Sequence, residues 1–138
     1  DTVYIQQDIC NGCGYCVPAC PFGVPQLGHD DGRAQKCTLC YDRLRGGLEP
    51  ACAKACPTDS IRFGPVADLL EDGRARVDAL RQRGVEKAQL YGDGSSGGTG
   101  GIGGLNALFV LTDEPESFHL PAAPELPQRR VAPAFASA

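Results

Sequence analysis

The sequence predicts a small α+β protein, and three observations point to that class. All eight cysteines lie between Cys10 and Cys56, in two runs that each end in Cys-Pro. Short β-branched or aromatic stretches alternate with short helical patterns around these runs. A longer amphipathic helix follows, and after it come a glycine-rich and then a proline-rich stretch. We therefore divide the chain into residues 1–64, 65–112 and 113–138.

The first cysteine run reads Cys10-x2-Cys13-x2-Cys16-x3-Cys20, followed by proline. It matches the bacterial ferredoxin pattern, in which three thiolates hold one [4Fe–4S] cluster and the fourth ligates another. Glycines between the ligands suit a backbone that curls around a cluster and aims its N–H groups at sulfur. The run therefore predicts a ferredoxin-like unit in which these four cysteines bind iron.

The second run reads Cys37-x2-Cys40-x11-Cys52-x3-Cys56, again followed by proline. It keeps the ending of the first run but has a longer middle gap. If the chain is self-sufficient, Cys56 completes the cluster of the first run and Cys20 completes the cluster of the second. Structural zinc held by the second run is the alternative, because paired short cysteine gaps also suit zinc.

The elements of residues 1–64 are predicted as two similar halves, each with a strand, a cysteine loop, a short helix and a strand. Asp31-Gly32 supplies a hairpin turn. Pro50 can open a helix, because its missing N–H costs nothing in the first turn. The predicted elements are a strand over 2–6, a helical turn over 17–20, a hairpin over 22–36, a helix over 38–45, a helix over 51–56 and a strand over 60–63.

A different pattern begins after residue 64. An apolar face with helical spacing predicts an amphipathic helix that stops near Gly84. This face is formed by Val66, Leu69, Leu70, Val77 and Leu80. A glycine-rich loop over 92–104, a strand over 105–112 and an extended proline-rich arm over 113–138 complete the prediction. The helix and the arm are candidate docking surfaces.

Composition argues against several functions. The formal net charge is −4, which is unsuited to nucleic-acid binding. We find no apolar run long enough to span a membrane and no signal peptide, so we expect a chain that is cytoplasmic or held at the cytoplasmic membrane through partners. Cysteines confined to the first half of the chain disfavour a disulfide framework.

Other motifs do not indicate catalysis by this chain. Residues 98–103 formally match the dinucleotide-binding fingerprint, but no helical pattern follows them. His29 and His119 are single and far apart in the sequence, so we expect turn or surface residues rather than metal ligands. No pattern suggests a nucleophile with a neighbouring base.

The chain resembles the iron–sulfur electron-transfer subunits of molybdenum or tungsten bis-pterin oxidoreductases. Residues 37–43 together with 50–58 look like their stretched cysteine motif. Later stretches are most similar to formate dehydrogenase beta subunits, namely residues 75–84, 88–92, 104–111 and 113–116.

The resemblance implies a function and a set of partners. The chain would relay electrons between a molybdopterin-containing catalytic subunit, on which formate is oxidised or CO2 reduced, and a membrane or other acceptor subunit. Members usually carry four cysteine motifs, and this sequence matches the last two. In that arrangement, Cys20 and Cys56 would complete clusters held by another half. A free two-cluster ferredoxin is the alternative, although the extension beyond Phe63 argues against it.

Overall fold

The computed structural model describes residues 3–94 and 102–126. The chain divides into two compact units, Asp1–Gly64 and Pro65–Ala138, which we call the cysteine unit and the helix–sheet unit. Their short helices and strands make a small α+β protein, as the sequence predicts. Across the described ranges, no helix combines the length and the hydrophobicity that crossing a membrane would require.

The cysteine unit consists of short elements joined by tight turns. Its two strands form an antiparallel hairpin in which Leu27 pairs with Ala34. The hairpin and the helical segments lie where the sequence predicts them, although the strands and the second helix are shorter. The elements are α1 (Cys16–Ala19), β1 (Gln26–Leu27), β2 (Ala34–Gln35), α2 (Tyr41–Arg45) and α3 (Ala51–Ala55).

Two strands predicted for this unit do not form, since residues 3–6 and 60–63 have no strand pairing. The Gln6 carbonyl instead accepts the N–H groups of Ile9 and Cys10 within a turn. The Ser60 N–H donates to the sulfur of a cysteine. A strand needs a ladder of backbone partners. These segments are irregular because their backbone groups bond within turns and to sulfur.

The helix–sheet unit packs one long helix against a two-stranded sheet. It contains α4 (Val66–Gln82), β3 (Gln89–Tyr91), β4 (Phe109–Leu111) and a 3-10 helix over Pro115–Phe118. The strands are antiparallel, with Leu90 opposite Val110. The strand predicted over 105–112 thus narrows to three residues. Its partner β3 was not predicted, because three residues are too few to show a period.

The end of α4 confirms the stop predicted at Gly84. This glycine has a φ of +90°, which is the left-handed conformation typical of a helix C-terminus. Its N–H donates to the carbonyl of Arg81, and the N–H of Val85 donates to the carbonyl of Leu80, both at 3.0 Å. These two hydrogen bonds form a Schellman motif, which satisfies carbonyls left without partners inside the helix.

The core of the helix–sheet unit lies between α4 and β3. Val77, Ala88 and Leu90 are buried there. A Cβ added at Gly73 would lie 2.8 Å from Cδ1 of Leu90. Glycine is costly inside a helix, but at this position it lets α4 approach the sheet closely. The partly buried residues around this core are Leu70, Leu80, Val85, Leu108 and Val110.

The first part of the proline-rich arm is not extended, which differs from the sequence prediction. It forms the 3-10 helix over Pro115–Phe118. Further along, the Tyr91 hydroxyl donates a 2.8 Å hydrogen bond to the carbonyl of Pro121. Tyr91 and Pro124 are both fully buried. Up to residue 126 the arm therefore packs as part of the helix–sheet unit, because prolines can fill a core when their carbonyls find donors. Residues 127–138 lie outside the described range.

The glycine-rich loop is described only at its ends, since residues 95–101 lie outside the described range. Most of the dinucleotide-like match at 98–103 therefore lies there as well. At the base of the loop, the Leu105 N–H donates to the carbonyl of Gly92 at 2.6 Å. A Cβ at Gly92 would lie 2.6 Å from the carbonyl oxygen of Ala107. Backbone approaches this close require glycine at that end of the loop.

Candidate metal centre

All eight cysteines lie in the described part of the cysteine unit, and all are free thiols. Cys16 begins α1 and Cys20 follows its last residue. In the same way, Cys52 lies in α3 and Cys56 follows its last residue. Both runs therefore end in a short helix, a cysteine and a proline, in agreement with the internal repeat that the sequence suggests.

The first cysteine loop packs against the β1–β2 hairpin. Gly12 has a φ of +73°, and a Cβ there would lie 2.9 Å from the carbonyl oxygen of Gly32. The Ala34 N–H donates to Sγ of Cys10 at 3.3 Å. This N–H and then that of Gly12 lower the pKa of the Cys10 thiol. The hairpin thus favours the thiolate, which is the form that binds metal.

The long gap in the second run folds back on itself. Beyond α2, the Leu48 N–H donates to the carbonyl of Arg43 at 2.9 Å. The Arg43 side chain donates through Nε to the carbonyl of Glu49, also at 2.9 Å. These contacts return the chain so that the Ala51 N–H donates to Sγ of Cys40 at 3.4 Å. Cys52 follows Ala51 directly in the sequence, so these contacts bring it near Cys40 despite the eleven intervening residues.

The bend between the first two cysteines of the second run uses no glycine. Leu39 and Cys40 have φ values of +54° and +51°, which bulky residues rarely adopt. The Leu39 N–H donates to Sγ of Cys37 at 3.4 Å. Left-handed backbone at such residues costs about 1–3 kcal/mol and is typical of functional sites. Sequence reasoning missed this strain; the available signal was that Leu39 occupies the position of Gly12 in the first run, where φ is also positive.

The loop after Cys56 surrounds that sulfur with hydrogen-bond donors. The Ser60 N–H donates to Sγ of Cys56 at 3.3 Å, and Oγ1 of Thr58 lies 3.5 Å from the same sulfur. The Thr58 hydroxyl, and after it the N–H of Ile61, lower the pKa of the Cys56 thiol to about 7. Sequence reasoning missed these two hydroxyl residues; the available signal was Thr58 directly after Cys-Pro and Ser60 two residues later.

These surroundings fit an iron–sulfur cluster. Four of the eight sulfurs accept main-chain N–H groups at 3.3–3.4 Å, namely those of Cys10, Cys37, Cys40 and Cys56. Cluster thiolates carry negative charge, which such donors stabilise. Which cysteines share a cluster, and whether Cys20 and Cys56 close on each other's runs, stays a prediction.

The geometry lends no support to a single-ion site. In the ranges that the structure describes, no three His, Cys, Asp or Glu side chains are grouped so as to hold one metal ion. The zinc alternative at the second run stays a prediction. His29 is exposed in the β1–β2 loop, and His119 is the residue that ends the 3-10 helix.

Comparison with protein families identifies the first unit. Residues 1–66 match the family model described as "4Fe-4S dicluster domain". This match covers all eight cysteines, and it confirms [4Fe–4S] clusters as the cofactors predicted from the two runs.

Curated relatives extend the similarity to the second unit. Over 127 residues, 90% of this chain, the sequence is 44% identical to the nitrate-inducible formate dehydrogenase iron–sulfur subunit of Escherichia coli (strain K12). It is 43% identical, over the same share, to a formate dehydrogenase iron–sulfur subunit of Haemophilus influenzae. Similarity to a subunit of the anaerobic dimethyl sulfoxide reductase of Escherichia coli, at 43% identity, covers 67 residues, or 49% of this chain.

The matches cover a minor part of each relative. They span 41% and 39% of the two formate dehydrogenase subunits and 33% of the dimethyl sulfoxide reductase subunit. This chain thus corresponds to about two fifths of the formate dehydrogenase subunits. The resemblance seen in the sequence is confirmed, and it is longest for the formate branch because the match there continues beyond the cysteine unit.

Proposed function

Because residues 1–66 match the 4Fe-4S dicluster family, we propose that this chain transfers electrons through two [4Fe–4S] clusters. The chain is homologous to formate dehydrogenase iron–sulfur subunits over nine tenths of its length. That homology supports a place between a molybdenum or tungsten pterin catalytic subunit and an electron acceptor. A location in the cytoplasm, or at the cytoplasmic membrane through partners, belongs to the same proposal.

The structure adds support through the sulfurs that accept main-chain N–H groups. A bound cluster accepts and releases one electron at a potential that depends on its surroundings. The eight cysteine thiolates would hold the iron, and the N–H groups of Leu39, Ala34, Ala51 and Ser60 would stabilise the added negative charge. Residues of this chain therefore set the potential, while the reaction on substrate takes place on the partner.

Cluster content provides the first test. Protein reconstituted anaerobically with iron and sulfide is expected to be brown and to give the EPR signal of reduced [4Fe–4S] clusters. Cys52→Ser is expected to remove one cluster, whereas Ala53→Ser beside it is expected to leave both. A colourless protein that binds zinc would contradict the proposal and favour the zinc alternative.

The second test concerns electron relay by a subunit rather than by a free ferredoxin. We expect the chain to co-purify with a pterin-containing catalytic subunit and to be reduced when formate is added to the complex. The helix–sheet unit favours the subunit, because a free carrier needs no such extension. A stable monomer that never associates with a pterin protein would favour the free two-cluster ferredoxin.

The roles of Cys20 and Cys56 can be tested by iron content. If the two runs close on each other, the chain alone should hold two complete clusters with four thiolates each. If each run closes on another half, Cys20→Ser and Cys56→Ser should leave the clusters of the isolated chain unchanged. Loss of a cluster in either variant would indicate the self-contained arrangement.

A further inference from the structure

The two cysteine runs end in loops with the same backbone course. The N–H of Gly23 donates to the carbonyl of Cys20 at 3.2 Å, and the N–H of Asp59 donates to the carbonyl of Cys56 at 3.4 Å. Gly23 and Asp59 are both left-handed, with φ values of +63° and +52°. The loops can therefore be compared position by position.

The side chains of these loops differ in chemistry at each position that matters for the sulfur. The loop after Cys56 carries hydroxyl groups and, at its last compared position, a backbone N–H, whereas the loop after Cys20 carries apolar side chains and a second proline. The corresponding pairs are Thr58 with Phe22, Ser60 with Val24, and Ile61 with Pro25.

The hydroxyl groups after Cys56 form a chain that points at its sulfur. Oγ of Ser60 lies 2.7 Å from Oγ1 of Thr58, which in turn lies 3.5 Å from Sγ of Cys56. A cysteine sulfur bound to iron has no proton, so the hydrogen in this contact must come from Thr58. A hydroxyl has one hydrogen, and Ser60 must therefore donate to Thr58. Successive hydrogen bonds of this kind strengthen one another.

The sulfur of Cys20 lacks these donors. Phe22 and Val24 have no hydroxyl group, and Pro25 has no N–H. In the other loop, the N–H of Ile61 is one of the donors that lower the pKa of the Cys56 thiol. The thiolate of Cys56, the last cysteine of its run, is therefore better stabilised by hydrogen bonds than that of Cys20, the last cysteine of the first run.

From this contrast we propose that Thr58, supported by Ser60, raises the reduction potential of the cluster that Cys56 ligates. Reduction adds negative charge to a cluster and its thiolates, and a hydroxyl that donates to sulfur stabilises that charge. Thr58 is a tuning residue, since it acts through the ligand Cys56. The loop after Cys20 provides no equivalent group, so the cluster ligated there is not raised in this way.

The inference rests on the proposed ligation by Cys56, and the experiment separates the two. Iron and sulfide analysis and the EPR spectra of the cluster-loaded full chain and of Cys56→Ser come first. Wild-type protein that takes up no cluster would contradict the proposed function, and if Cys56→Ser keeps both clusters, the titration is performed on the complex with the partner subunits. Redox titration followed by EPR is then performed on loaded wild type, Thr58→Val, Thr58→Ser and Ser60→Ala, with Thr38→Val as the matched control next to Cys37.

We expect Thr58→Val to make reduction of one cluster about tenfold less favourable, a shift of about 59 mV for a one-electron couple. Thr58→Ser keeps the hydroxyl and should keep the wild-type potential. Ser60→Ala should shift the same cluster in the same direction by less, and Thr38→Val should shift neither cluster.

Two results would overturn the inference. One is a cluster-loaded Thr58→Val with both potentials unchanged, and the other is an equal shift in Thr38→Val. If Thr58→Val does not load clusters, Ser60→Ala decides, because it keeps Thr58 and every main-chain donor. An unchanged potential in Ser60→Ala would then contradict the proposed hydroxyl chain.

Discussion

The cysteine unit and the helix–sheet unit are stabilised in different ways. Among the described residues of the cysteine unit, Ala34 and two prolines, Pro25 and Pro50, are the buried ones. Tyr15 and Ile9 are 79% and 71% exposed. A unit of this size is marginally stable even with a good core, and small domains with few buried residues often depend on bound metal for folding. The helix–sheet unit has a conventional core, whose buried hydrophobic residues are Val77, Ala88, Leu90, Tyr91 and Leu111.

This difference suggests that the clusters replace the missing core of the first unit. With the predicted ligands bound, a sulfur that accepts an N–H group from a distant part of the chain would link that part to the cluster. The Ala34 N–H on the Cys10 sulfur and the Ala51 N–H on the Cys40 sulfur are contacts of this kind. In the helix–sheet unit, burial of apolar side chains provides the same cohesion without a cofactor.

Cluster removal should give the largest effect and separate the units most clearly. After iron is removed by oxidation and chelation, residues 3–64 should lose their protection from hydrogen exchange, because metal binding and folding are coupled there. Residues 66–91 should keep theirs, since their core needs no metal. Mass-spectrometric hydrogen exchange measures both. Equal loss in the two units would refute the contrast.

Truncation of the core should produce the opposite pattern. Leu90→Ala removes a side chain that is 6% exposed, and such changes typically cost about 2–5 kcal/mol. We expect lower stability of the helix–sheet unit, measured by urea unfolding with the Val77 methyl NMR signals, and unchanged cluster absorbance. Leu48→Ala, at a residue 51% exposed in the cysteine unit, is the control and should change little.

Two glycines of the helix–sheet unit test whether close packing or backbone conformation limits its stability. Gly84 and Gly92 have similar φ values of +90° and +100°. A Cβ at Gly84 meets nothing within 4 Å, whereas one at Gly92 meets the Ala107 carbonyl oxygen at 2.6 Å. Gly84→Ala should cost about 1 kcal/mol, and Gly92→Ala about 3 kcal/mol because a clash is added. Equal losses in thermal unfolding would mean that conformation alone matters.

The smallest expected effect is a pH dependence confined to the helix–sheet unit. Nζ of Lys87 lies 2.7 Å from Oδ1 of Asp113 on the surface. This hydrogen bond raises the pKa of Lys87 and lowers the pKa of Asp113. The stability due to Asp113 is therefore present above the ordinary carboxyl pKa and is lost as the pH falls through its lowered value. That due to Lys87 is lost as the pH rises through its raised value.

Lys87→Met should accordingly destabilise the unit slightly at neutral pH, with a difference from wild type that vanishes in acid. Urea midpoints from the Leu90 methyl signals across this pH range measure it. Glu86→Gln, at an exposed neighbour, should leave the acid dependence unchanged. A difference between Lys87→Met and wild type that persists after Asp113 is protonated would show that the ion pair is not its source.

Much of the fold follows from local sequence signals. Pro50 opens α3 and Gly84 ends α4, because each residue restricts or permits backbone angles at its own position. The hairpin forms where it was predicted, but its loop spans residues 29–32 and is closed by the Gly28 N–H on the carbonyl of Arg33, with Gly32 alone of the Asp-Gly pair in the left-handed region. The strands predicted over 2–6 and 60–63 do not form, because a strand needs a second strand to pair with. The backbone groups of these segments bond instead within a turn and to a cysteine sulfur.

For the candidate metal centre too, some features follow from the local sequence and others from the tertiary structure. The sequence predicts the ligands, since the spacing of soft thiolates within a run is local and cluster binding needs just that spacing. The donors around the sulfurs were decided by tertiary structure, because the Ala34 and Ala51 amides lie 24 and 11 residues from the sulfurs that they reach. Contacts over such separations depend on how hairpins and turns return the chain. The sequence by itself therefore determines which cofactor is bound, and the folded loops set the environment that distinguishes one cysteine sulfur from another.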